Sequence, residues 1–291
     1  MHPSPSVIIF TVLTGMGFGL LAFLGLGLPA PVGGAAFLYW GLGYALAVGG
    51  LSASTFHLGQ PTRALKAFSQ WQTSWLSREA WTSVATLILM APLALSDIFG
   101  LGLPRVVGQA GAVLAVLTVF TTSMIYAQMK TVPRWHSPAT QGLFFSFMLA
   151  GGAILAGQGR VALVGCALLA LALAVAFRIG DGAFARAAQT TGRATGLDRI
   201  GHVTVFEQPH TSPNYLMREM IHLVARKHVR KLRRIAFVAG AGVPFVLLLL
   251  LPPSPVLFAV VAVIHLTGAL TARWLFFAQA EHVVGLYYGQ R

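Results

Sequence analysis

A series of long apolar runs, separated by shorter polar segments, constrains this chain more than any other feature. Roughly eight runs approach the ~20 residues that a helix needs to cross a hydrocarbon core about 30 Å thick. Backbone polar groups inside that core must bond within the protein, so the runs are expected to be helical. The third and fifth runs are short and need flanking residues to complete a crossing. The predicted spans are Val7 to Leu28, Phe37 to Phe56, Val84 to Phe99, Val106 to Tyr126, Gly142 to Ala156, Val161 to Phe177, Ile235 to Leu251 and Val256 to Phe277.

Composition excludes an ordinary soluble domain, because 56% of the residues are hydrophobic and only 9% are charged. The net charge of +13 would indicate nucleic-acid binding in a soluble protein. In a membrane protein, Lys and Arg instead set topology and contact anionic membrane lipids, so no nucleic-acid partner is expected. The predicted fold class is an all-α integral membrane protein, a bundle of about eight transmembrane helices with large cytoplasmic loops. We expect one polytopic membrane domain over residues 1–291.

The distribution of positive charge predicts the orientation of this bundle. Eight crossings put both termini on one side, and all but two of the 20 Lys and Arg residues fall on that side. The exceptions are Arg105 and Arg160. By the positive-inside rule, both termini and the large loops lie in the cytoplasm and the chain lies in the inner membrane. Most of the tryptophans fall on the same side, which indicates that a soluble partner docks there.

The predicted spans contain few ionisable residues. None of the seven acidic residues is expected deep in a span, and only His265 is expected near mid-membrane, as a hydrogen-bonded packing residue. A transporter or proton-translocating subunit is one alternative function, but it would need a buried ionisable path. A haem b cytochrome subunit is another. It would need axial ligands at matching depth, whereas His57 and His265 differ in depth by roughly 10 Å.

The segment from Ser52 to Trp81 concentrates charged and aromatic residues between two apolar runs. His57 is expected at the end of the second span and Glu79 near the start of the third. An imidazole and a carboxylate at the membrane boundary can hydrogen-bond a quinone head group and exchange protons with it. Each also has a structural explanation: Glu79 suits a helix N-terminus, and an interfacial His57 can bond a carbonyl. The candidate quinone-binding residues are His57, Glu79, Arg63, Trp71, Arg78, Tyr126 and Lys130.

The largest loop is expected within residues 178–234. Residues 183–213 lack helical periodicity, and His202 to Phe206 is expected to be a short extended piece. From Asn214 to Arg234 an apolar stripe faces a row of basic residues, which predicts a basic amphipathic helix at the membrane surface. Contact with lipid and docking of a partner are both compatible with this pattern.

Three segments carry a resemblance to a known family, and they are MHPSPSVIIFTVLTGMGFGLLA, HLGQPTRALKAFSQWQTSWLSRE and MIYAQMKTVPRWHSP. The chain resembles the membrane anchor subunits of dimethyl sulfoxide reductases, including the related membrane subunit of cytoplasmic sulfite dehydrogenase. The resemblance covers most of the chain except Ala183 to Leu232.

This resemblance implies an eight-helix anchor without haem, whose quinone is ubiquinone or menaquinone. It also implies two partners: an iron-sulfur electron-transfer subunit and a molybdopterin catalytic subunit, which hold all the metal cofactors. In that family, a His after the second helix and a Glu at the start of the third are implicated in quinol binding, and they match His57 and Glu79. Familiar reductases of this type face outward. Our charge count places the docking loops inside, which favours the sulfite-oxidising branch.

Overall fold

The computed structural model describes residues 1–56, 60–207, 211–221 and 228–289. Within these ranges it contains helices and no strands, and eight helical segments are long and apolar enough to cross a membrane. Six uninterrupted helices come first in the chain. They are α1 (Pro5–Gly25), α2 (Gly33–Thr55), α3 (Trp75–Phe99), α4 (Val106–Ala127), α5 (Pro138–Leu155) and α6 (Gly159–Asp181). The predicted all-helical membrane fold is confirmed.

The last two spans differ in regularity. The seventh span, Val229–Leu250, joins α10 (Val229–Phe237), a π-helical turn (Val238–Gly242) and α11 (Val243–Leu250). The eighth span is α12 (Pro255–Ala278). Short helices connect or follow the spans: a 3₁₀ helix (Pro61–Phe68), α7 (Ala183–Arg186), α8 (Thr191–Thr195), a second 3₁₀ helix (Leu197–Arg199), α9 (Tyr215–Met220) and α13 (Val284–Tyr287).

The two short apolar runs gain the residues they lack from their N-terminal flanks. The third span begins at Trp75 rather than Val84, and the fifth begins at Pro138 rather than Gly142. Pro138 stands at the first helical position, where a missing N–H has no intrahelical partner to lose. Polar residues therefore enter the membrane helices at their ends, and Glu79 lies in the second turn of α3.

The segment from Asn214 to Arg234 differs from the single surface helix that we expected. The described part of it contains α9, which ends at Met220, and the start of α10 at Val229. The basic residues from Arg230 to Arg234 thus form the first turns of the seventh span. Long basic side chains at such a position reach the head groups while their stems remain against apolar surface. His202 to Phe206 lies in irregular backbone without a strand partner.

Helix α1 forms the centre of the bundle and is the most deeply buried of the eight spans. It packs against α2, α4, α5 and α12. Glycines allow its backbone to approach its neighbours closely: Gly19 lies against Gly152 of α5, and Gly25 lies against Gly108 of α4. A Cβ added at Gly152 would lie 2.6 Å from the Gly19 carbonyl carbon. In lipid there is no hydrophobic driving force between helices, so their association depends on van der Waals contact. Close approach of the backbones increases that contact.

We predict that Gly152→Ala destabilises the bundle by about 1–3 kcal/mol, because the added methyl group must push two backbones apart. Gly41→Ala is the matched control, since a Cβ there meets nothing within 4 Å. Unfolding of the purified variants by a denaturing detergent measures both effects. Equal stability of the two variants would contradict the close α1–α5 contact.

His265 is fully buried in α12 and bonds to the π-helical turn of the seventh span. Its Nδ1 lies 2.7 Å from the Gly240 carbonyl oxygen. Four residues after Gly240 stands Pro244, which has no N–H, so this carbonyl cannot receive the regular helical bond. His265 provides a replacement donor, which fixes the proton on Nδ1. The predicted role of His265 as a hydrogen-bonded packing residue is confirmed.

We predict that His265→Leu destabilises the protein by about 1–3 kcal/mol, because a buried carbonyl loses its donor. In a Pro244→Ala background the restored backbone N–H can bond Gly240, so the same substitution should cost less. A double-mutant cycle measured by detergent unfolding gives the coupling. Strictly additive effects would show that the two residues do not share this carbonyl.

On the membrane face opposite the N-terminus, an ionic cluster joins four helices. Arg105 Nη2 and Nη1 donate to Asp97 Oδ1 and Oδ2 at 2.9 and 3.0 Å, and Trp40 Nε1 donates to Asp97 Oδ2 at 3.1 Å. Arg105 also reaches the Leu24 carbonyl oxygen. The cluster joins the ends of α1, α2, α3 and α4. At the other face, the Met1 amino group donates to the Ala280 carbonyl oxygen, so the two ends of the chain meet. We call this side the N-terminal face.

Candidate functional site

The loop between α2 and α3 is held to α3 by Arg78 and Trp81. Arg78 Nε and Nη2 donate to the carbonyl oxygens of Trp71 and Gln72 at 2.9 and 2.6 Å, and its guanidinium lies 4.3 Å from the ring centroid of Trp75. Trp81 Nε1 donates to the Phe68 carbonyl oxygen at 3.0 Å. A basic side chain that was expected at a binding site thus fixes the shape of the loop.

Glu79 is buried, with 4% of its surface exposed. Its Oε1 accepts a hydrogen bond from the Thr122 hydroxyl of α4. Among the described residues no cation bonds to this carboxylate. The hydroxyl fixes the position of the acid between α3 and α4, one to two turns below the N-terminal face.

Two further pairs continue this polar contact deeper into the membrane. The hydroxyls of Thr82 and Thr121 lie 3.2 Å apart, and those of Thr86 and Thr118 lie 3.2 Å apart. We call these pairs, with Glu79 and Thr122, the polar seam. Our sequence analysis missed the seam. The helical spacing of threonines in both spans was the signal that could have revealed it.

Tyr126 lies near the end of α4 in a cluster of aromatic rings. Its ring centroid lies 5.3–5.7 Å from those of four neighbours, Trp135, Phe144, Phe276 and Phe277. Its phenol lies within electrostatic range of Glu79 and of Arg273. Of the sequence-predicted site residues, Glu79 and Tyr126 are therefore the two that the structure brings together inside the bundle.

Arg273 is a buried cation that our sequence analysis counted only as part of the basic C-terminal end. It lies in α12 with 3% of its surface exposed, and its guanidinium carbon lies 3.8 Å from the Phe144 ring centroid. Among the described residues no carboxylate bonds to it, and its Nε and Nη1 have no hydrogen-bond partner. Its position within the apolar run from Val256 to Phe277 was the available signal.

The remaining candidates lie at the surface or outside the described residues. Arg63 and Lys130 are exposed, and Trp71 has 58% of its surface exposed. His57 lies outside the described residues. Within the described ranges there is no cluster of three or more His, Cys, Asp or Glu residues that could hold a metal ion.

A second ionic cluster on the N-terminal face joins α6 to the seventh span. Arg134 Nη2 donates to Asp181 Oδ1 at 2.8 Å, and Arg233 Nη1 donates to Asp181 Oδ2 at 2.7 Å. Burial lowers the pKa of Arg134 from its ordinary value, and the hydrogen bond to Asp181 opposes that shift. One carboxylate thus bonds to two arginines and links the start of the seventh span to α6.

Comparison with known proteins assigns this bundle to a family. The sequence profile of the DMSO reductase anchor subunit (DmsC) family matches residues 1–177, which include the polar seam and the loop before it. The chain belongs to the DmsC family. It is therefore a multi-pass membrane anchor subunit of this type.

This anchor subunit is similar to proteins from two organisms. The sulfite dehydrogenase C subunit of Allochromatium vinosum is 29% identical over 335 aligned positions, covering 99% of both chains. The anaerobic dimethyl sulfoxide reductase chain YnfH of Escherichia coli is 31% identical over 163 residues, covering 52% of this chain and 55% of its own. No solved structure matches this anchor subunit.

We predict that Arg78→Gln loosens the loop before α3, because its two bonds to backbone carbonyls and its contact with Trp75 are lost. Hydrogen exchange of residues 60–74 should become faster, while the core of α3 keeps its protection. Arg63→Gln removes the same charge from the exposed surface of this loop and should leave exchange unchanged. Unchanged exchange in both variants would show that Arg78 does not hold the loop.

Proposed function

We propose that this anchor subunit passes electrons between an iron-sulfur partner subunit and membrane quinone, in a complex whose molybdopterin catalytic subunit oxidises sulfite. The observation that carries the proposal is the buried Glu79 carboxylate, fixed by Thr122 within the region that matches the family. The full-length similarity to a sulfite dehydrogenase subunit supports the choice of sulfite. The metal cofactors belong to the partners.

The orientation of the complex follows from the charge asymmetry. By their order in the sequence, nearly all the Lys and Arg residues and the longest loops belong to the N-terminal face. We therefore place this face in the cytoplasm and the subunit in the inner membrane. The soluble partners then dock on the loops at this face. Arg63 and Lys130, both exposed there, are available for contact with a partner or with quinone at the rim of the site.

The side chains of the proposed site have the chemistry that binds a quinone head group. Glu79 offers a carboxylate that the Thr122 hydroxyl holds in place, and Tyr126 adds a phenol within electrostatic range. His57, two residues after the end of α2 in the sequence, supplies an imidazole, a side chain that commonly serves as a proton donor and acceptor. Trp71 and Arg78 belong to the loop at the mouth of the site.

A bound quinone takes up two electrons and two protons to become a quinol. In sulfite oxidation the electrons come from the iron-sulfur partner and the protons come from the cytoplasm. We assign proton delivery to His57 and Glu79, which would hold the quinone and exchange its protons. The Thr122 hydroxyl keeps the Glu79 carboxylate oriented while its proton leaves and returns. The protein thus supplies position and proton exchange, and the partners and the quinone supply the redox chemistry.

The arrangement of charges in the described spans favours this proposal over transport. Glu79 and Arg273 lie near the N-terminal face, whereas Asp97 lies near the opposite face and is paired with Arg105. Between these levels two described titratable side chains bond across helices, His265 to the Gly240 carbonyl oxygen and Tyr44 to the Leu87 carbonyl oxygen, and both partners are backbone groups. These groups do not form a chain across the membrane.

We predict that Glu79→Gln and His57→Ala each reduce quinone-linked sulfite oxidation by about 100-fold, because each removes a proton-transfer group. Turnover with a soluble dye that accepts electrons from the iron-sulfur partner should be unchanged, and the three subunits should still copurify. Thr86→Val is the matched control, since it removes a hydroxyl from the same polar seam one to two turns deeper than Glu79.

Two outcomes would contradict this assignment. Equal losses in the quinone-linked and dye-linked assays would show that Glu79 and His57 act on assembly rather than on quinone. Turnover of dimethyl sulfoxide instead of sulfite by the copurified complex would correct the substrate while leaving the quinone site in place.

A further inference from the structure

A groove opens on the N-terminal face between α1, the seventh span and α12. Its volume is about 880 Å³, near the upper end for small-molecule sites, and one side is open. None of the residues that line it belongs to the polar seam or to the aromatic cluster around Tyr126. The groove is therefore separate from the site proposed for quinone.

One end of the groove is polar and lies at the depth of the lipid head groups. Lys231, His228 and Trp274 line this end. Lys231 is the third residue of the seventh span, and Trp274 lies four residues before the end of α12. Tryptophan rings and lysine ammonium groups favour this level of a membrane, where one end of the side chain is apolar and the other is hydrated.

The other walls of the groove are apolar. Ile8 and Ile9 of α1, Ile235 of the seventh span and Leu270 of α12 line them. These residues lie one to two turns inside their helices, so the apolar walls extend from the head-group level toward the hydrocarbon core. Such a surface can contact a hydrocarbon chain, but it offers no hydrogen bonds or charge to a small hydrophilic anion.

The charge at the polar end is unbalanced. Lys231 is exposed, and no carboxylate among the described residues bonds to it. Its neighbour Arg233 differs, because that guanidinium is bonded to Asp181. Arg230 and Arg234 of the same helix are also exposed and add to the positive potential.

The start of α1 adds to this potential. Pro3 and Pro5 line the groove, so the positive end of the α1 dipole lies beside Lys231. No acidic residue lies in the first turn of α1, and the Ser4 side chain makes no capping bond there. The polar end is therefore complementary to a phosphate group.

We propose that this groove binds one anionic phospholipid, with its phosphate beside Lys231 and the start of α1 and one acyl chain along Ile8, Ile235 and Leu270. The open side leaves the second acyl chain in the bilayer. The lipid joins the first, seventh and eighth spans on the face where the soluble partners dock. A lysine suits this role because its ammonium group is a compact charge for phosphate.

The experiment uses the full chain, purified in detergent, stripped of lipid and titrated with phosphatidylglycerol or phosphatidylcholine. Native mass spectrometry counts bound lipids. The wild-type chain should bind one phosphatidylglycerol more tightly than phosphatidylcholine, and Lys231→Gln should weaken that binding about fivefold, the effect of one basic residue near a lipid surface. Lys66→Gln, which removes an exposed lysine from the 3₁₀ helix on the same face, should bind like the wild type.

A second variant tests the apolar walls. Leu270→Trp fills the groove and should prevent tight binding of phosphatidylglycerol, with helical content preserved in the circular dichroism spectrum. Millimolar inorganic phosphate should not displace the lipid, because the acyl chain contributes to binding. Quinone-linked turnover of the complex should survive in Lys231→Gln, so a failed lipid titration leaves the proposed quinone site untouched.

Four results would overturn the proposal. Equal affinity for phosphatidylcholine would show that charge does not select the ligand, and an equal loss in Lys66→Gln would show a general surface effect. Displacement by inorganic phosphate would identify a free-anion site. Stoichiometric displacement of phosphatidylglycerol by ubiquinone would make the groove a quinone site.

Discussion

The absence of hydrogen-bonding solvent in the hydrocarbon core governs the whole structure. Each buried polar group must find a partner inside the protein, or it carries a desolvation penalty of several kcal/mol. Backbone groups meet this requirement by forming helices. Where Pro244 interrupts the helix, His265 of the neighbouring span donates to the carbonyl at Gly240. Where Glu79 enters the membrane, Thr122 donates to its carboxylate. The fold and the candidate site therefore follow from one constraint.

The number of spans and the alternation of the loops between the two faces could be predicted from the sequence because they depend on the length and order of apolar runs. The role of His265 followed as well, since a single imidazole among apolar residues needs one nearby acceptor. The pairing of side chains in the polar seam could not be predicted from the sequence. Which threonine faces Glu79 depends on how α3 and α4 rotate about their axes, and packing sets that rotation.

Arg273 illustrates a second limit of sequence patterns. The sequence analysis counted it only among the basic residues of the charged side, but the side chain turns into the bundle and packs on Phe144. The division of the segment from Asn214 to Arg234 has a similar cause. An amphipathic pattern gives the angular distribution of charge around a helix, and the same distribution fits a helix lying on the membrane or the first turns of a helix entering it.

The two faces of the bundle differ in how firmly the helices are joined to one another. On one face, Asp97, Arg105 and Trp40 join the ends of α2, α3 and α4, and Arg105 extends the link to the end of α1. On the other, residues 56–74 connect α2 to α3, and the hydroxyl groups of the polar seam join α3 to α4. Helices that are joined by an ion pair at one end separate more easily at the other end. Thermal separation of the first four helices should therefore be larger at the N-terminal level, so that bilayer molecules exchange more readily near Glu79 than near Asp97.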